Sequence, residues 1–234
     1  MFVSDVALAQ NLSLDLGGDG GGSSTARIIQ LLLVITVITL APSILVMVTA
    51  FTRIIVVLSF LRSALGTQQT PPNQVLVSLA MFLTVFIMMP TFEKAYYDGI
   101  LPLIQEKIGE EEAIIKTAEP FRTFMLSNVR EKDLDLFAQM VPNLKIAEPA
   151  QTPYQILIPA FLISELKRSF EIGFLLFVPF LIIDMVISSI LMAMGMMMLP
   201  PVIISLPFKL IFFVLVDGWY LVVGSLVRSF GQGG

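Results

Sequence analysis

Residues 172–199 read IGFLLFVPFLIIDMVISSILMAMGMMML, and this stretch decides the fold. It holds one charge, Asp184, and one internal proline, Pro179, before Pro200 and Pro201 stop it. At about 1.5 Å per residue, a helix of this length reaches across the roughly 30 Å hydrocarbon core of a bilayer. So apolar a helix must be covered by lipid or by partner protein.

Three more apolar segments lie outward from it. Residues 28–52 carry no charge, and Pro42 is expected to kink or divide them. Arg53 interrupts, and a short apolar stretch, 54–61, ends at Arg62. Residues 66–73 form a turn whose paired prolines, Pro71 and Pro72, start the next element. Residues 74–89 read as an apolar helix closed by Pro90, and residues 208–227 are apolar apart from Lys209 and Asp217. Between these, residues 156–174 carry Glu165, Lys167, Arg168 and Glu171, too many charges to lie against lipid. The expected fold is an all-α membrane protein with four hydrophobic segments: a first helical hairpin at 28–90 and a second hydrophobic region at 154–234.

Residues 91–153 differ in kind. Glu110, Glu111 and Glu112 mark a solvated helix start, and Ile114, Ile115, Ala118, Phe121, Phe124, Met125 and Val129 recur at helical spacing. This predicts an acidic, amphipathic helical insert outside the membrane, interrupted at Pro120. Arg53 and Arg62, read as a short loop without acids, belong in the cytoplasm by the positive-inside rule. Alternation then puts the insert on the periplasmic side.

Composition agrees: 56% of residues are hydrophobic and 14% charged, against roughly a quarter charged in soluble domains. The chain has no cysteine and no histidine. That excludes disulfides, thiolate nucleophiles, thiol or imidazole metal sites and imidazole acid–base chemistry. No enzyme activity, cofactor or metal is expected. A net charge of −4 without a basic, aromatic-interleaved patch argues against nucleic-acid binding. Residues 1–27 read as a leader, rich in Gly and Ser over 11–25. Ala7-Leu8-Ala9 before Gln10 has the small-residue form of a signal cleavage site. The preceding residues are too short for a signal core and contain Asp5, so a chance Ala-x-Ala in a flexible tail is the competing reading.

Charges within the apolar segments need partners or a task. A carboxylate at the bilayer centre costs about 3 kcal/mol on insertion scales. Asp184, Lys209 and Asp217 therefore read either as an ion relay or as pairing groups, for example Asp184 with Lys209. Glu165 shares a helix face with Arg168, and Lys167 with Glu171, giving local ion pairs or a contact between subunits. Met192, Met194, Met196, Met197 and Met198 crowd the end of the long segment. Unbranched thioethers fill variable shapes, which suits a pliable seal as well as ordinary membrane packing.

Several blocks together resemble one family. These are Thr52-Arg53-Ile54, residues 61–67 (LRSALGT), residues 71–76 (PPNQVL), residues 163–167 (ISELK) and residues 170–174 (FEIGF). The run from Pro179 to Asp184 and on to Pro201, and residues 206–209 (LPFK) with Asp217-Gly218-Trp219, complete them. In order, from about Ile28 to Ser229, they resemble the FliP family of flagellar type III secretion, which is related to injectisome components. The resemblance implies an export-gate subunit in the bacterial inner membrane at the flagellar basal body. There several copies, with FliQ and FliR and the wider export apparatus, surround a channel for unfolded flagellar substrates. It implies that Met194, Met196, Met197 and Met198 act as a gasket in the closed pore. It also implies kinked helical hairpins, partly raised from the bilayer plane. The rival reading is a small-solute or ion transporter using Asp184 and Asp217.

Overall fold

The computed structural model describes residues 23–67, 69–141, 152–196 and 199–231. All secondary structure among them is helical. The chain falls into two units, Met1–Ser43 and Ile44–Gly234. Ala9 and Gln10 lie outside the described residues.

Helix α1 (Ser23–Met47) begins inside the stretch expected to be leader. Every described side chain over Ile28–Leu40 is exposed, as an all-apolar helix must be before lipid or protein covers it. The expected break at Pro42 falls later, at residues 48–50. Threonine hydroxyls take over the end groups there: Thr52 Oγ1 donates to the Val46 carbonyl at 3.3 Å, and the Phe51 N–H donates to Thr49 Oγ1 at 3.4 Å.

Helix α2 (Phe51–Ala64) is the centre of the second unit. Arg53 and Arg62 are not loop residues but lie in its first and last turns. Ile54, Val57, Leu58, Leu61 and Ala64 are buried, one stripe at helical spacing that meets protein, while Ile55, Val56, Ser59 and Phe60 are half-buried and Ser63 is exposed. Helix α3 (Asn73–Ala95) starts after Pro72 and runs through Pro90, where the sequence predicts a stop. It continues through a π-turn (Tyr96–Ile100) into α4 (Leu101–Ile104). Pro90 removes one ladder bond, and the remaining bonds carry the helix on.

Helix α5 (Glu110–Asn128) likewise runs through Pro120, the predicted interruption, and is followed by α6 (Glu131–Ala138). Ala113 and Met125 are buried, but Ile114 and Ile115 are exposed. The apolar stripe read from spacing is therefore wider than the face α5 uses. Met125 packs with Val48, Leu157 and Phe161 in a small second core.

Helix α7 (Tyr154–Ala193) is one helix of 40 residues passing through Pro159 and Pro179. At about 60 Å it is twice the thickness of a hydrocarbon core, so its halves have different surroundings. The first half buries Leu157, Phe161, Ser164, Glu165 and Ser169 against protein, while Phe174, Leu175, Ile182 and Met185 in the second are exposed. It runs in the same direction as α2: Arg53 meets Glu165, and farther along the Phe60 and Phe170 rings meet edge to face at 5.1 Å. Gly173 makes this approach possible, since a Cβ there would stand 2.6 Å from the Phe60 ring.

Helices α8 (Pro201–Leu215) and α9 (Gly218–Gly231) meet at a bend of 63°. The apolar segment read as 208–227 is thus broken in the middle. Asp217 takes a left-handed φ of +51° at the bend. Two described helices, Asn73–Ile104 and Tyr154–Ala193, are long and apolar enough to cross a membrane, and the bent pair could add a third. The sequence predicts four such segments; the difference lies in the break at Asp217 and in α1, whose apolar part is the shorter Ile28–Leu40.

Candidate functional site: two buried ion pairs and a methionine-bearing turn

Arg53 is fully buried, and a buried guanidinium is tolerable only when its donors find acceptors. All five do. Nε donates to Glu165 Oε2 at 2.8 Å, and Nη2 donates to Glu165 Oε1 and, at 3.4 Å, to Asn128 Oδ1. Nη1 donates to the Ser229 carbonyl and hydroxyl, both at 3.0 Å. The Phe230 ring covers the guanidinium at 3.7 Å, adding a cation–π contact. One side chain thereby ties together α2, α5, α7 and α9. Sequence spacing pairs Glu165 with Arg168; the structure gives it Arg53 instead. Lys167 pairs with Glu171 at 3.2 Å on the exposed face of α7.

The second pair lies farther along α7. Lys209 Nζ donates to Asp184 Oδ2 at 2.6 Å and to the Ala64 carbonyl at 3.3 Å. Ser205, one turn before Lys209 on α8, donates to Asp184 Oδ1 at 2.5 Å. Ala64 ends α2, where carbonyls lack helical partners and the helix dipole is negative, so an ammonium suits the spot. Asp217 is not brought to this cluster; it is exposed at the α8–α9 bend.

A third polar contact docks the acidic region. Asp133 on α6 receives Arg130 Nε at 2.7 Å and the Ser164 hydroxyl of α7 at 2.6 Å, and the Arg130 backbone N–H donates to Ser164 Oγ at 3.1 Å. Burial pushes the Asp133 carboxyl up, but the hydrogen bonds from Ser164 and Arg130, with the charges of Arg130 and Lys132, bring it below its usual range.

The methionines sit where α7 turns into α8. Met192, Met194 and Met196 are 60%, 63% and 41% exposed, and Gly195 makes the reversal at φ +74°. Met197 and Met198 lie outside the described residues. Among the described residues no group of three or more carboxylate, thiol or imidazole side chains is placed to hold a metal.

Asn128, Ser205, Ser229, Phe230 and the Asp133–Ser164 contact do not emerge from sequence reasoning. Ser205 and Lys209 carried a usable signal, since polar residues four apart on an apolar helix define one face. Asn128 and Ser229 carried none, being 75 and 176 residues from Arg53.

Apolar helices long enough to cross a bilayer, ion pairs sealed among them and an exposed methionine turn define a membrane-embedded helical protein with unsatisfied apolar surface. The FliP family profile matches residues 34–226. The flagellar biosynthetic protein FliP of Caulobacter vibrioides is 56% identical over 230 residues, covering 97% of this chain and 85% of that one. Those of Agrobacterium fabrum and Bacillus subtilis are 53% and 55% identical over 211 and 202 residues. They cover 89% and 86% of this chain, and 86% and 91% of their own lengths. The chain belongs to the FliP family and is a membrane component of the flagellar export apparatus.

Proposed function

We propose that this chain is a subunit of the flagellar type III export gate. With further copies of itself and with FliQ and FliR, it surrounds a channel for unfolded flagellar proteins. The observation that carries this reading is the exposed apolar surface that the second unit presents on α3, on the second half of α7 and at the methionine turn. Phe82, Leu175 and Met185 are 72%, 69% and 68% exposed. Such surface calls for lipid or other subunits, while α7 is too long for lipid alone.

On this reading Met194, Met196, Met197 and Met198 form the gasket of the closed pore. The hydrophobic segments act as kinked hairpins in the inner membrane at the basal body, with the 91–153 insert outside the membrane on its periplasmic side. That side assignment leans on Arg62, because Arg53 is sealed inside the protein. A maleimide probe at Glu111→Cys tests it: labelling from the periplasm of intact cells is expected, and protection there reverses the orientation. The chain has no native cysteine to confuse the readout.

Export itself is tested by crosslinking from position 197 to a stalled flagellar substrate, together with co-purification of FliQ and FliR. Loss of both results overturns the gate reading. Nothing favours the transporter alternative, since Asp184 is held by Lys209 and Ser205 while Asp217 stands away from them.

A further inference from the structure

We infer that Asp184, Lys209 and Ser205 are positioning residues for the methionine-bearing turn, forming a latch that fixes where the end of the α7–α8 hairpin stands. The consequence for gating rests on the proposed gate function; the geometry does not.

Both carboxylate oxygens of Asp184 are held from α8, Oδ1 by Ser205 and Oδ2 by Lys209. Two bonds from positions four residues apart fix register as well as distance, because sliding or turning α8 against α7 breaks one of them. The third bond, from Lys209 to the Ala64 carbonyl, fastens the hairpin to α2, the most enclosed helix of the unit. Gly66, just past that carbonyl, takes the left-handed φ of +77° that glycine adopts without strain, and its backbone lies beside the Lys209 ammonium.

Beyond the latch the hairpin has little else to hold it. Helix α7 continues from Asp184 to Ala193, about 13 Å, and α8 begins about 6 Å before Ser205. Over that length Met185, Val186, Ile190, Val202 and Ile203 are exposed, and Leu191 is the buried side chain of α7. Methionines cannot set their own place, since a thioether chain with three rotatable bonds conforms to its surroundings. Directional polar bonds at the base of the projection therefore set the posture of its end.

The test uses the full chain in lipid nanodiscs, with a nitroxide on Met194→Cys at the turn or on Ser127→Cys in the body. Lys209→Met removes the buried cation and leaves Asp184 partly solvated. Ser205→Ala is the milder variant should Lys209→Met fold poorly. Each is expected to shift the Met194→Cys spectrum from the immobilised toward the mobile component while leaving the Ser127→Cys spectrum unchanged, with Lys209→Arg restoring most of the immobilised signal. An unshifted Met194→Cys spectrum in both variants, or equal shifts at both sites, overturns the latch. Ion conductance of the same variants in the assembled complex is read separately. A mobile turn without leak leaves the latch standing and counts against the gate.

Discussion

At the scale of the residue, burial decides what each charge is worth. Glu165→Ala leaves the Arg53 guanidinium enclosed without its carboxylate, and breaking a buried pair in this way costs about 3–5 kcal/mol. Lys167→Ala, which breaks the half-exposed pair with Glu171, costs only about 0.3–0.5 kcal/mol. Thermal melting in detergent, followed by the fluorescence of the lone tryptophan, Trp219, is expected to separate the two variants by a wide margin. Equal melting would mean that the Arg53 cluster does not hold the four helices. Asp184→Ala strands Lys209 with one carbonyl for company, so recovery of the assembled complex is expected to fall. Normal recovery with secretion intact would remove the pair from any role in assembly.

At the scale of the element, short contacts and one carboxylate fasten the insert. Gly99 in the π-turn lies so close to α5 that a Cβ would stand 2.7 Å from the Thr117 backbone nitrogen. Backbone cannot step aside as a side chain can, so Gly99→Ala is expected to cost about 1–3 kcal/mol, as overpacking does. Faster proteolysis within α5 would report the loosening. Helix α6 depends on Asp133, whose pKa is depressed in the fold. A depressed carboxyl adds stability above its unfolded value of about 3.9 and loses it as pH falls through the folded value. Hydrogen exchange over Glu131–Ala138 is therefore expected to accelerate below about pH 4. Asp133→Asn should expose α6 at neutral pH and flatten that acid response; an unchanged acid response in the variant would assign it to another group.

At the scale of the whole molecule, the helices leave much apolar surface for lipid or other protein to cover. Helix α2 buries one face within the second unit, while α1, α3 and the second half of α7 each carry large exposed apolar side chains. Replacing Met196, Met197 and Met198 with glycine is expected to leave assembly intact and to let the closed complex leak small ions. Unchanged conductance across a planar bilayer would remove the gasket role.

The sequence by itself determined that this protein is helical and membrane-embedded, and its motif blocks identified the family. Both are properties of runs: an apolar stretch or an ordered set of short motifs needs no partner to be legible. It also marked Asp184, Lys209, Glu165 and Arg53 as charges in need of company, because each stands in or beside an apolar segment. Only the tertiary structure decided who that company is. Glu165 has Arg168 within helical reach along its own chain, yet the fold gives it Arg53, 112 residues away. Prolines show the same limit: Pro90 read as a stop and Pro120 as an interruption, yet both lie inside helices. A proline removes one local bond, and whether the helix then ends depends on packing from elements far away in the chain, which local spacing does not encode.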